Sequence, residues 1–151
     1  MTMRAAFIGL GQARIKKIVE ALERAGCPRL EVTAGWRAVE GAASQPGRPE
    51  VIFVNADAGG KDLAHTVEAV RLAEPRMPVV LVYGGEPTGR LFDLARRHDC
   101  WLFGESDNLK RGLTADEVAE ELADRLEARQ MRARLMQVSL SSGPCSTGDG
   151  D

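Results

Sequence analysis

The chain has 151 residues, with 20 basic against 22 acidic side chains and a formal charge of -2. That is enough for one domain to bury a core without disulfides or metal, and the near-neutral balance gives no global field favouring nucleic acid or an anionic membrane. Cys27, Cys100 and Cys145 are an odd number at wide spacings with no Cys-x-x-Cys pair, which argues against a disulfide framework or a zinc site and for reduced thiols in the cytoplasm.

Ala5 to Leu10 reads as a short apolar strand, ended by Gly9 and Gly11. Ile15, Ile18, Val19 and Leu22 then fall at helical spacing, and the helix stops at Gly26 with Pro28 beyond. Leu30 to Ala34 is a second, short strand, and Trp36 to Ser44 suits a short helix before the turn Gln45 to Pro49. Val51 to Val54 is the central strand; four consecutive apolar residues require cover on both faces, as in a parallel sheet. Leu63, Val67 and Val70 mark a third helix, Val79 to Tyr83 a fourth strand, and Leu91, Phe92, Leu94 and Ala95 a fourth helix. Trp101, Leu102 and Phe103 form a fifth strand. Thr114 to Glu117 has capping-box spacing, and Val118, Ala119, Leu122 and Leu126 follow as the stripe of a fifth helix.

Strands and helices alternating in this way predict an α/β domain over residues 1–128, a single doubly wound five-stranded parallel sheet. The stripe fades from Arg129, so residues 129–138 read as a helical extension and the small, polar residues 139–151 as a disordered tail. No run reaches membrane-spanning length, and no apolar leader follows Arg4. In an open parallel sheet, ligands are handled just past the carboxyl ends of the strands, which singles out Asn55 and Asp57.

From Ala5 to about Ala128 the chain resembles the receiver domain of bacterial response regulators. The likeness rests on Glu31 to Asn55 (ending PEVIFVN), on Arg76 to Gly84 (RMPVVLVYG) and on Arg96 to Gly104 (RRHDCWLFG). It implies a flavodoxin-like strand order 2-1-3-4-5. It also implies a degenerate pocket, because the phosphoacceptor position falls on Asn55, the hydroxyl position on Tyr83 and the lysine position on Gly104. The acidic pair falls on the Gly9-Leu10-Gly11 region, leaving Asp57 as a lone carboxylate. An amide is a poor nucleophile, and one carboxylate makes a weak magnesium site, so no catalysis, cofactor or resident metal is expected.

What the resemblance retains is the aromatic position, Trp101, on the surface of the fourth helix, fifth strand and fifth helix. That surface implies a protein partner or a homodimer through Trp101, Phe103, Arg97 and Leu122. The bland alternatives are a core tryptophan and a polar strand cap at Asn55 and Asp57. A second function class is binding of a nucleotide or anion by the loop Gly9, Gly11, Gln12 and Arg14, which has part of a dinucleotide fingerprint. Arg14 replaces its third glycine, and no acid ends the second strand. The basic run Arg125, Arg129, Arg132 and Arg134 is diluted by Asp124 and Glu127 and reads as a charged helix face, not a nucleic-acid surface.

Overall fold

A computed structural model describes residues 2–33, 48–57, 60–85, 88–104 and 113–148, and their side chains apart from those at 60, 61, 129 and 137–148. Five strands, β1 (Thr2–Ile8), β2 (Arg29–Val32), β3 (Val51–Asn55), β4 (Val79–Tyr83) and β5 (Trp101–Gly104), form one sheet in the order β2-β1-β3-β4-β5. Every pairing is parallel, as expected from the sequence. Four helices are described: α1 (Gln12–Arg24), α2 (Gly60–Ala73), α3 (Gly89–Arg97) and α4 (Ala115–Gly148). The short helix expected at Trp36 to Ser44 lies outside the described residues.

The apolar runs are continuous because the sheet has a core on each side. In β3, Val51 and Phe53 join Ile18, Leu22, Val118 and Leu122 of α1 and α4, whereas Ile52 and Val54 join Leu63, Val67, Leu91 and Leu94 of α2 and α3. Both β3 and β4 therefore sit with side chains buried on either face. Phe7 and Phe53, paired across β1 and β3, stack at 4.8 Å between ring centroids.

Helix α4 starts where its capping box predicts. Thr114 N–H donates to Glu117 Oε1 at 2.9 Å, and Glu117 N–H donates to Thr114 Oγ1 at 3.2 Å. Its backbone continues through the residues read as an extension and on to Gly148. Among the described residues, no helix is long and apolar enough to cross a membrane.

Candidate functional site

The carboxyl ends of β1, β3 and β4 meet at one edge of the sheet, and the polar residues there are bonded to one another. After β1 the chain turns at Gly9, whose φ of +71° is left-handed and suited to glycine. Asn55, at the end of β3, donates from Nδ2 to the Gly9 carbonyl at 2.9 Å and accepts the Asp57 N–H on Oδ1, also at 2.9 Å. The second bond is an Asx turn that fixes the Asp57 backbone.

The Asp57 carboxylate then gathers three donors. Its Oδ1 accepts the Gly84 and Gly85 amides at 2.8 and 3.3 Å, and its Oδ2 accepts the Arg14 guanidinium at 2.9 Å. Arg14 and Asp57 are part-exposed, with side chains 30% and 36% accessible, so the pair is screened by water while the two amide bonds orient the carboxylate. One acid thus ties the start of α1 and the loop after β4 to the end of β3.

Tyr83 and Gly104 are brought together beside this network. Tyr83 is 1% exposed, and a Cβ built on Gly104 would lie 3.1 Å from its hydroxyl oxygen and 3.2 Å from the adjacent ring carbon. The ring occupies the space that any side chain at Gly104 would need, so the tyrosine and the glycine are one packing solution.

The donor set does not fit magnesium. A hard dication needs several oxygen ligands, whereas both oxygens of Asp57 face N–H donors and a guanidinium already supplies the local positive charge. Among the described residues, no three His, Cys, Asp or Glu side chains group to hold a metal ion.

The anion loop expected around Gly9 to Arg14 is assembled differently. Gly11 is the N-cap of α1, Gln12 is exposed on its first turn, and the cation that would draw an anion, Arg14, is turned onto Asp57. Arg14, which replaces the third glycine of the fingerprint, sends its side chain across the carboxyl ends of the strands to Asp57. Sequence reasoning missed this pair, which joins residues 43 positions apart. The available signal was topological, since a strand order with β1 beside β3 places the first turn of α1 next to the residue after β3.

The surface residues separate into two groups. Trp101 is half-buried against the α4 side of the sheet, with Arg125 stacked over its ring at 5.1 Å, and Arg97 is exposed at the end of α3. Phe103 and Leu122, expected on the same surface, are 3% and 0% exposed. That is a correction: both point into the core between β5 and α4, because alternate strand residues face the same side and Leu122 lies on the buried stripe of its helix.

No protein-family model matches the sequence, and no curated protein matches it. Solved structures do share its fold. One, described as a pilus assembly-related protein from Burkholderia pseudomallei, has a TM-score of 0.57 at 14% identity over 81% of this chain and 87% of that one. The pilus assembly protein CpaE from Burkholderia thailandensis gives a TM-score of 0.57 at 16% identity, over 81% of this chain and 98% of its own. The N-terminal domain of a three-domain response regulator/sensory box/GGDEF protein from Carboxydothermus hydrogenoformans is 17% identical over 91% of this chain and 98% of that one, with a TM-score of 0.48. At such identities the likeness concerns architecture alone, an α/β fold around a parallel sheet; a shared fold does not carry over what those proteins assemble or sense.

Proposed function

We propose that this domain is a non-catalytic signalling or adaptor module that accepts no phosphoryl group and works through contacts with other proteins. The observation that supports this most is the commitment of Asn55 and Asp57 to each other and to their neighbours. The amide at the end of β3 has no charged oxygen with which to attack, and both of its polar atoms hold the backbone in place. The adjacent carboxylate is neutralised by Arg14. The guanidinium therefore stands where phosphoryl chemistry would call for a metal, and Gly104 offers no cation.

We assign the partner contact to the flank formed by α3, β5 and α4, where Trp101, Arg125 and Arg97 reach the surface. A half-buried tryptophan capped by a guanidinium exposes apolar area and directional charge together, a combination favoured at interfaces. Binding of a nucleotide or anion by the Gly9 to Gln12 loop is the less supported reading, because Arg14 is engaged elsewhere.

The test is incubation with acetyl phosphate and magnesium followed by intact mass measurement. We expect the mass to stay unchanged for the natural chain and for Asn55→Ala. A stoichiometric phosphate adduct that disappears in Asp57→Ala would overturn the proposal.

A further inference from the structure

Helix α4 carries a groove of about 440 Å³ on the flank opposite Trp101. Pro28, after α1, forms one wall, and Ala123, Leu126, Gln130 and Met131 of α4 form the other. Ala123, Leu126 and Gln130 follow at intervals of three and four residues, and Met131 is four from Glu127, which places these α4 residues on one broad helix face. Met131 is 55% exposed and Leu135, one turn further, 67%. Apolar surface therefore runs out of the groove along the helix.

The groove carries charge as well as apolar surface. Glu127 and Arg134 also line it. They are seven residues apart, roughly 10 Å along the axis, which is too far to pair within one helix. Neither enters an ion pair among the described residues. The helix dipole does not account for the basic run either: Arg129, Arg132 and Arg134 lie in the middle of an element that reaches Gly148, and its last turn has no basic residue.

The midpoint between Glu127 and Arg134 falls between Gln130 and Met131, within the stretch of α4 that lines the groove. A twofold axis through that point sets Glu127 of each copy opposite Arg134 of the other and brings the two Met131 side chains together. A parallel arrangement would oppose arginine to arginine and glutamate to glutamate.

We infer that α4 pairs antiparallel with a second copy of this chain through this groove, held by Met131 at the centre and by two reciprocal Glu127–Arg134 ion pairs. Arg125 is two residues from Glu127 and so lies on the other side of the helix, leaving the Trp101 flank open to other proteins. Self-association of this kind does not depend on whether the pocket at Asn55 takes a phosphoryl group.

Sedimentation velocity on the full chain, over a concentration and salt series, tests it. The expected result is a reversible dimer that weakens as salt rises. Met131→Asp should give a monomer with unchanged circular dichroism. Glu127→Arg and Arg134→Glu should each weaken the dimer about tenfold, and their combination should restore it, while Trp101→Ala leaves it intact. A chain that stays monomeric, a dimer that survives Met131→Asp, reversals whose losses add up, or a dimer lost in Trp101→Ala would each overturn the inference.

Discussion

Asp57 holds three N–H donors on two oxygens, and the donors differ in how much solvent already serves them. The Gly84 and Gly85 amides depend on it for geometry, while the Arg14 guanidinium is 30% accessible and keeps part of its hydration. Asp57→Ala should therefore cost about 1–3 kcal/mol in urea unfolding, and Arg14→Ala about 0.5–1 kcal/mol. Equal losses would mean that the ion pair, and not the amides, governs the site. At the thiols, burial pushes Cys27 up to about 12, with Glu23 adding to it, and pushes Cys100 up to about 11 against the pull of Arg71. A folded-state pKa above the unfolded value of about 8.5 contributes stability that is complete below that pH and is lost as the pH rises through the folded values. Stability should thus fall from about pH 9 upward, and Cys27→Ala should flatten the fall in unfolding curves taken between about pH 8 and 11.

At the scale of elements, one side chain closes two helices. Arg71, in the last turn of α2, donates to the carbonyls of Glu74 (3.2 Å), Pro75 (3.4 Å) and Met77 (2.6 Å) after its own helix, and to those of His98 (2.7 Å) and Asp99 (2.9 Å) after α3. These helix ends would otherwise leave carbonyls without donors, and Asp99 holds a left-handed φ of 53° that no glycine relieves. Arg71→Ala should cost about 2–4 kcal/mol. Arg71→Lys should recover less than half of that, because an ammonium cannot span carbonyls on two elements with a planar fork. Thermal unfolding of the two variants measures both, and full recovery by lysine would reduce Arg71 to a charge. A second staple lies at the amino end of the sheet, where Arg48 donates to the fully buried Glu74 carboxylate while its carbonyl accepts from Arg4. Neither staple was legible beforehand, since each joins elements distant in the chain and follows from their packing.

For the molecule as a whole, the parts of the fold that sequence could reveal are those set by local pattern. Valine-rich β3 and β4 announce a sheet covered on both faces, and the Thr114 to Glu117 box marks the start of α4 to the residue. At the candidate site, Asn55 and Asp57 could be named from the end of the central strand, and Tyr83 and Gly104 from the receiver resemblance. What they do there was not read from it: the strand order implied for the chain sets β1 beside β3, but which donors Asp57 takes up follows from packing, and Phe103 and Leu122 turn inward only once α4 docks. The tether from Asp57 to Gly84 fixes the start of the loop after β4. Gly84 is exposed in a loop, yet its N–H is spent on a carboxylate rooted in the central strand, so its deuterium uptake should be slow compared with ordinary loop amides. The loop is latched by a hydrogen bond to a carboxylate of the same chain, so no added group is needed to hold it.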